Sequence, residues 1–136
     1  MSVLMSLAMF PTDTKGSKSK EVAQVLEVIK SSGLDYQLTS MNTIVEAKTL
    51  KELLDLLNLC YLKLEELGCN RVYAVANFDI RTSGEDRIRS KIASVEKHIG
   101  KVSKSFVYNI LINKKGAKWI SKSFMKKVVE QMQIWV

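Results

Sequence analysis

The stretch DYQLTSMNTIVEAKTLKE, residues 35–52, decides the fold that this sequence predicts. Residues 35–40 and 43–47 have the composition of two short strands, and the residues between them are suited to turn the chain. Thr49 follows as a helix N-cap, and Glu52 stands three residues later, so the two predict a capping box. A hairpin that runs directly into a capped helix is the middle part of a β-α-β-β-α-β order.

Two elements precede this stretch. Residues 3–10 alternate large apolar side chains with smaller ones and are followed by Pro11, which predicts a strand. Ser17 or Ser19 can cap the helix that comes next, and Gly33 is suited to end it. That helix carries four apolar residues at helical spacing, Val22, Val25, Leu26 and Ile29.

The helix that begins after Thr49 is predicted to run from Leu50 to Leu67 and to end at Gly68. Its inward stripe is predicted as Leu53, Leu57, Cys60, Leu64 and Leu67. Leu59 and Leu62 fall on the opposite, charged face. Exposed leucines are common, so these two either remain exposed or contact another subunit or the C-terminal segment.

Residues 71–81 form the clearest predicted strand. One face is apolar and suits packing against helices, whereas the other is too polar for a core. The polar face comprises Tyr73, Val75, Asn77, Asp79 and Arg81. Ser83 can cap a third helix, whose apolar stripe is Ile88, Ile92, Val95 and Ile99.

Residues 1–100 therefore predict an α+β, ferredoxin-like β-α-β-β-α-β sandwich with an added helix. Right-handed crossovers place both main helices on one side of the sheet, so functional side chains are expected on the other side. Residues 101–136 are predicted to form a C-terminal extension packed on or beside this domain. It would contain a strand over residues 106–113 and a helix capped by Ser121 or Ser123.

The positive charge of the chain is concentrated at its C-terminal end. The net charge is +7, and eight of the 21 Lys and Arg residues lie in residues 101–136, where Glu130 is the one acidic residue. Because residues 1–100 are neutral overall, nucleic-acid binding by the domain itself is not expected. The extension leaves an alternative function open. In that alternative, the protein is an oligomeric interaction module whose basic segment binds a protein partner, nucleic acid or an anionic membrane.

Catalytic and metal-binding signatures are missing from the sequence. His98 is the one histidine and has no metal-ligand spacing around it, and neither a Gly-rich phosphate loop nor a nucleophile elbow is present. We therefore expect no enzyme activity, no cofactor and no metal. No apolar run is long enough to span a membrane. Cys60 and Cys69 are expected to be reduced thiols in a cytoplasmic protein.

Polar side chains on the predicted strands indicate a small-molecule site. Ser6, Tyr73, Asn77 and Asp79 are predicted to share the face away from the helices, with Gln37 and Thr39 beside them. Thr43 and Glu46 lie on the second hairpin strand, where alternation does not decide which way each one points. A carboxylate and neutral polar groups among aromatic and thioether surfaces suit a flat, basic heterocycle. The same residues could instead hydrogen bond across a contact between two sheets.

Four segments carry a resemblance to a known family: the first strand up to Pro11, SGLDYQLTSMNTIVEA at residues 32–47, RVYAVANFDIR at residues 71–81, and KIASVEKHI at residues 91–99. Together they resemble the small thiamine-binding protein family, which is related to the YkoF-like thiamine-binding proteins. The hairpin segment is the most specific part.

The resemblance covers residues 1–100 and implies a ferredoxin-like protomer whose sheets pair into dimers, or into dimers of dimers. It implies binding of thiamine or its hydroxymethylpyrimidine portion without catalysis. The side chains expected at the ligand are Glu46, Thr43 and Asn77, followed by Asp79, Ser6, Thr39 and Tyr73. The sequence departs from the family pattern at Ser6, Ala8 and Ile80, where members commonly carry an acidic residue, Ser and Asp.

Overall fold

A computed structural model describes residues 1–103 and shows a four-stranded antiparallel sheet with three helices. In chain order the elements are β1 (Ser2–Pro11), α1 (Ser19–Ser31), β2 (Asp35–Leu38), β3 (Thr43–Ala47), α2 (Leu50–Glu66), β4 (Val72–Arg81) and α3 (Arg87–Ile99). The strand order is β2-β3-β1-β4. This is the ferredoxin-like α+β fold that the hairpin and the capped helix predict, and Met1–Gly100 form one compact unit.

The register of β1 determines which side chains share a face of the sheet. Met5 lies opposite Val45 of β3 and Phe78 of β4, whereas Ser6 lies opposite Ile44 and Asn77. Because successive side chains of a strand point to opposite faces, odd-numbered residues of β1 face α1 and α2. Even-numbered residues of β1 face the other side. We call that other side the open face.

The hydrophobic core lies between the helix-facing side of the sheet and the two helices α1 and α2. Its fully buried side chains include Met5, Ile29, Leu53 and Leu64. Burying one such side chain contributes roughly 1.5–3 kcal/mol. Leu57 packs partly buried against this core as predicted, and its neighbour Leu56 is buried as well. Leu67 is 48% exposed because α2 ends at Glu66, before that residue. The prediction that Leu67 belongs to the inward stripe is therefore wrong.

The helix ends confirm two predictions and correct two others. Neither Ser17 nor Ser19 caps α1, which follows Lys18 and has no side-chain cap hydrogen bond. The Thr49 hydroxyl accepts from the backbone N–H of Glu52, and the Glu52 carboxylate accepts from the Thr49 N–H, which is the predicted capping box. Gly33 has φ +73° just beyond α1, as a helix-ending glycine requires. Ser83, however, does not cap α3. The residue before α3 is Asp86, whose side chain makes no cap hydrogen bond.

The predicted strand at residues 106–113 and the predicted helix after Ser121 or Ser123 lie outside the described residues. The suggested contact between Leu59 or Leu62 and that segment lies outside them as well. Both leucines are exposed to solvent in this chain, at 53% and 43%. Within the described part, no helix is both long and apolar enough to cross a membrane.

Candidate functional site

The open face carries a strip of side chains that neither α1 nor α2 covers. It crosses all four strands and comprises Ser6, Ala8, Phe10, Gln37, Ile44, Tyr73, Val75 and Asn77. Each of these residues is half-buried or exposed, in contrast to the helix-facing residues of β1, which are buried. Tyr73 and Val75 are the most exposed apolar members, at 54% and 41%. The sheet thus presents a mixed surface of aromatic, aliphatic and amide groups.

Ser6 is the polar centre of this strip. Its backbone position lies directly opposite Asn77, and its hydroxyl accepts a hydrogen bond from Asn42 Nδ2 at 2.8 Å. Asn42 follows β2 in the hairpin turn, so the turn is tied to the middle strand of the sheet. Three neutral polar side chains, from the turn, from β1 and from β4, are therefore close together on one side of the sheet.

The hairpin turn that supplies Asn42 is held by the side chain of Thr39. The Thr39 hydroxyl lies 2.6 Å from Asn42 Oδ1, to which it can donate, and accepts from the Asn42 backbone N–H at 3.1 Å. The Thr39 backbone N–H donates to the Asn42 carbonyl at 2.8 Å. Thr39 therefore organises the turn and fixes the Asn42 side chain toward Ser6.

An aromatic pair closes one end of the strip. The rings of Phe10 and Tyr73 have their centroids 5.6 Å apart at an interplanar angle of 46°. Aromatic pairs at this spacing are mutually stabilising, and the exposed Tyr73 ring leaves one surface available for another flat group.

The opposite end of the strip is closed by α3, which the sequence placed only as an added helix. Each strand contributes one residue of the open face that accepts hydrogen bonds from the first turns of α3: the Ser2 carbonyl and the carboxylates of Asp35, Glu46 and Asp79. Ile88 and Leu4 are buried where the helix meets the sheet. The open face is thus covered at this end and uncovered at the end that holds Ser6, Tyr73 and Asn77.

Glu46 acts as the cap that α3 lacks in its own sequence. Its carboxylate accepts from the backbone N–H of Arg87 at 3.0 Å, from that of Ile88 at 3.2 Å, and from the Ser2 hydroxyl at 2.6 Å. Burial pushes the pKa of Glu46 upward, but these three donors outweigh it and lower the pKa below its usual 4.5. A carboxylate at a helix N-terminus is also favoured by the helix dipole.

Asp79 is likewise bound to α3. Its carboxylate pairs with Arg87 and, at 2.6 Å, with Lys91. The hydrogen bond from Arg87, followed by that from Lys91, lowers the pKa of Asp79 well below its usual range. The Arg87 guanidinium is itself buried and also donates to the Ser2 carbonyl at 3.1 Å. The carboxylates of Glu46 and Asp79 are thus both engaged in holding α3.

The structure divides the seven predicted site residues into three groups. Ser6, Tyr73 and Asn77 lie together on the uncovered part of the open face, and Thr39 supports them through Asn42. Glu46 and Asp79 belong to the same face but contact α3. Thr43 pairs with Leu7 and lies on the opposite, helix-facing side, where it is buried.

Two residues of this region were not singled out from the sequence. The sequence does contain a feature that could have identified Asn42, because an asparagine in a tight turn commonly hydrogen bonds to nearby groups. No sequence feature identifies Arg87, because a buried arginine cannot be distinguished from a surface one in a sequence with many basic residues. In the described part of the chain, no three His, Cys, Asp or Glu side chains come together as metal ligands.

Comparison with known families agrees with the resemblance found in the sequence. The model of a family described as "Thiamine-binding protein" matches residues 5–96. A UPF0045 protein of Methanothermobacter thermautotrophicus is 29% identical over 98 residues, which cover 71% of this chain and 99% of that protein. A UPF0045 protein of Staphylococcus xylosus is 31% identical over 101 residues, which cover 71% of this chain and 94% of that one.

Solved structures share the fold. A hypothetical protein of Methanocaldococcus jannascii superposes with a TM-score of 0.62 at 25% identity, covering 71% of this chain and 97% of that one. A Thermotoga maritima protein, assigned provisionally to thiamine biosynthesis or salvage, has a TM-score of 0.62 at 23% identity, covering 70% of this chain and 99% of that one. At these identities the structural likeness establishes the ferredoxin-like fold.

Proposed function

Since this chain belongs to the thiamine-binding protein family, we propose that it binds thiamine or a hydroxymethylpyrimidine-like molecule without transforming it. The observation that carries this proposal is the cluster of neutral hydrogen-bonding groups on an otherwise apolar and aromatic part of the open face. Ser6 and Asn77 lie on adjacent strands, Asn42 is fixed against Ser6, and the Tyr73 ring lies beyond them. A few polar groups on an apolar surface are typical of small-molecule sites.

The chemistry of these groups fits an aminopyrimidine. Its ring nitrogens accept hydrogen bonds and its amino group donates them, and an asparagine side chain offers the complementary donor and acceptor. The Tyr73 ring can stack on a flat heterocycle or attract a cationic one. The carboxylates of Glu46 and Asp79 already bind α3. The proposed ligand is therefore recognised by amide, hydroxyl and aromatic groups, with Glu46 and Asp79 shaping the end of the site.

The proposed functional unit is a homodimer paired through the open face, or a dimer of such dimers. Val75 and Tyr73, on the edge strand β4, leave apolar surface exposed on the part of the open face that α3 does not cover, and an exposed apolar surface of this kind commonly marks an interaction site. Pairing would bury that surface and enclose the ligand between two sheets. The exposed Leu59 and Leu62 of α2 offer a second possible dimer surface. An experiment can distinguish pairing through the open face from pairing through α2.

Isothermal titration of the full chain with thiamine and with hydroxymethylpyrimidine tests ligand binding. We expect saturable heat for at least one of them and about a tenfold weaker affinity for Asn77→Ala, since a buried polar group of the ligand would lose its partner. Asn58→Ala, which alters an exposed asparagine on α2, should bind like wild type. Folded protein that gives no heat at high micromolar concentration of either compound would refute the proposal.

Sedimentation velocity tests the dimer. Val75→Lys introduces a charge on the uncovered part of the open face and should shift the protein toward monomer. Leu59→Lys introduces the same charge on the exposed face of α2 and should leave the oligomer intact. The reverse pattern would place the interface on α2 and contradict pairing through the sheet.

A second candidate function rests on the positive charge of residues 101–136, which contain eight Lys and one Glu. In this role the oligomer presents its basic segments to a protein partner, to nucleic acid or to an anionic membrane. Such binding should weaken steeply as salt is raised and should disappear when residues 104–136 are deleted. Binding of thiamine that survives the same deletion would show that the two roles are separate.

A further inference from the structure

The strand β4 forms one edge of the sheet, because the strand order is β2-β3-β1-β4. Just before β4 begins, the Arg71 carbonyl accepts from the backbone N–H of Thr12 at 2.9 Å. Hydrogen-bonded and non-hydrogen-bonded pairs alternate along two antiparallel strands, so odd-numbered residues of β4 bond to β1 and even-numbered residues direct their N–H and C=O groups outward. Within residues 1–103, no other strand or loop pairs with this outward row. The edge can therefore accept a further strand.

β4 lacks the features by which proteins commonly prevent an edge strand from pairing. Natural edge strands are often short, bulged, or interrupted by Lys or Pro. β4 has ten residues, contains neither Lys nor Pro, and keeps an unbroken register with β1. The other edge strand, β2, has four residues, and its Asp35 forms an ion pair with Arg89. Of the two edges, β4 is thus the one suited to pair with another strand.

β4 also exposes apolar side chains on both faces of the sheet. Tyr73 and Val75 are exposed on the open face, whereas Ala74 and Ile80 are exposed on the helix-facing side, Ile80 at 51%. A contact between two open faces would cover only the first two. A strand added along the edge lies beside all four, so it removes from water apolar surface that pairing through the open face leaves exposed.

We propose that β4 pairs antiparallel with β4 of a second copy of this chain, with Asn77 at the two-fold axis. Residues 73–81 of each strand are paired in this arrangement. The sheets of two protomers become one continuous sheet whose open faces lie on the same side, and the partner's Asn77 joins the strip of polar groups there. This inference goes beyond the proposed function, because it concerns the edge of the sheet and requires no ligand.

The side chains that meet in this register are complementary. Since only even-numbered residues direct their backbone groups outward, each must lie opposite an even-numbered residue of the partner. The pairs on the helix-facing side are Ile80 with the partner's Ala74 and Phe78 with the partner's Ala76. A large side chain therefore meets a small one in each pair. On the open face, Arg81 lies opposite the partner's Tyr73, whose ring attracts a guanidinium group.

Neighbouring registers are less favourable. Centring the pair on Ala76 would place Arg71 directly opposite the partner's Arg81, and like charges in that position are destabilising. Centring it on Val75 would pair only residues 72–78 of the strand, which leaves the exposed end of β4 uncovered. The register centred on Asn77 thus joins the longest stretch of β4 without opposing like charges.

Sedimentation equilibrium of the full chain over a dilution series tests pairing through the edge. Ala74→Pro removes an outward N–H, and proline is tolerated in an edge strand where its nitrogen faces away from the neighbouring strand. Ala74→Lys is a second variant, which places a charge on the same edge. Both should lower the average mass of the assembly about twofold, whereas Leu38→Lys, on the other edge strand, should leave it unchanged.

The Ala74 side chain lies on the helix-facing side, so neither substitution alters a side chain of the open face. Wild-type mass in both folded Ala74 variants would overturn the proposal. A wild-type protein that is monomeric at every concentration would overturn it as well.

Cysteine cross-linking tests the register. Non-hydrogen-bonded residues of antiparallel strands have Cα atoms about 4.5 Å apart, which suits a disulfide, whereas sheets packed face to face are about 10 Å apart, which does not. With Cys69→Ser removing the partly exposed thiol, Asn77→Cys should give a covalent dimer under copper–phenanthroline oxidation and Val75→Cys should not. Cross-linking of Val75→Cys in place of Asn77→Cys would overturn the register, and no cross-link in either variant would overturn the pairing.

Hydrogen exchange of the wild-type protein identifies the occupant of the edge. The outward amides of Ala74, Ala76 and Phe78 should be protected at high protein concentration and should exchange faster on dilution, because dilution separates the two copies. The outward amide of Leu38 on β2 should exchange fast at every concentration. Protection of the β4 amides that persists in the monomer would mean that something other than a second copy covers the edge, and would overturn the proposal.

Discussion

Replacing Glu46 with alanine should release the start of α3 from the sheet. The carboxylate holds two backbone N–H groups of the first helical turn, at 3.0 and 3.2 Å, and the Ser2 hydroxyl at 2.6 Å. Loss of a helix cap costs about 0.5–2 kcal/mol of stability. Hydrogen bonds to a charged acceptor contribute more to stability than hydrogen bonds between neutral groups. Because Ser2 also loses its partner, we expect the free energy of unfolding to fall by about 2 kcal/mol.

Urea denaturation followed by circular dichroism, at one fixed protein concentration, measures this loss. Glu27→Ala is the matched control, because Glu27 is an exposed carboxylate on α1. Hydrogen exchange shows which part of the fold the substitution destabilises. The amide of Ile88 should exchange faster in Glu46→Ala, while amides of β1 remain protected. A change within about 0.5 kcal/mol of the control, with unchanged exchange at Ile88, would refute the capping role.

The hydrogen bonds to Glu46 should also make the stability of the fold depend on pH. The donors around Glu46 keep its pKa in the folded state below the usual 4.5. A carboxyl whose pKa is lowered by folding stabilises the fold above its unfolded pKa, and that stabilisation is lost as the pH falls through the folded pKa. The difference in stability between wild type and Glu46→Ala should therefore be largest near neutral pH and shrink in acid. A difference that does not vary with pH would contradict the charge-based account.

Two further predictions concern the core and the thiols. Leu53→Ala should cost about 3 kcal/mol in urea denaturation because Leu53 is fully buried, whereas Leu54→Ala, at 46% exposure, should cost less than about 1 kcal/mol. Equal losses would contradict the assigned orientation of α2. Cys60 is buried and its pKa is raised to about 11, so iodoacetamide should modify Cys69 first and Cys60 only in urea. Mass spectrometry of tryptic peptides gives the order, and early modification of Cys60 would contradict its burial.

Local signals explain why the fold could be predicted from the sequence. The capping box of Thr49 and Glu52 and the terminating Gly33 depend on neighbours within a few residues, and both are found as predicted. The alternation along β1 and β4 also assigns their faces correctly, because a strand has a strict two-residue period. Leu67 was misplaced because helical spacing does not show where a helix will end.

The candidate site was less predictable because its key contacts join distant parts of the chain. Nothing near Arg87 in the sequence indicates that α3 is capped by a carboxylate 41 residues earlier. Alternation puts Thr43 and Glu46 on opposite faces of β3, but it could not show which of the two faces the helices. Ser6, Tyr73 and Asn77 were grouped correctly on one face. Their role at a ligand remains a prediction.

The attachment of α3 to Glu46 also constrains the order in which the chain folds. The Ser2 hydroxyl and Glu46 are 44 residues apart, and Arg87 reaches back across 85 residues to the Ser2 carbonyl. Contacts of such long sequence separation cost a large loop-closure entropy, and the Ser2 carbonyl and the Glu46 carboxylate come together only once β1 and β3 have paired. The last helix should therefore dock late, after the transition state, and substitutions at its start should accelerate unfolding while leaving the refolding rate unchanged.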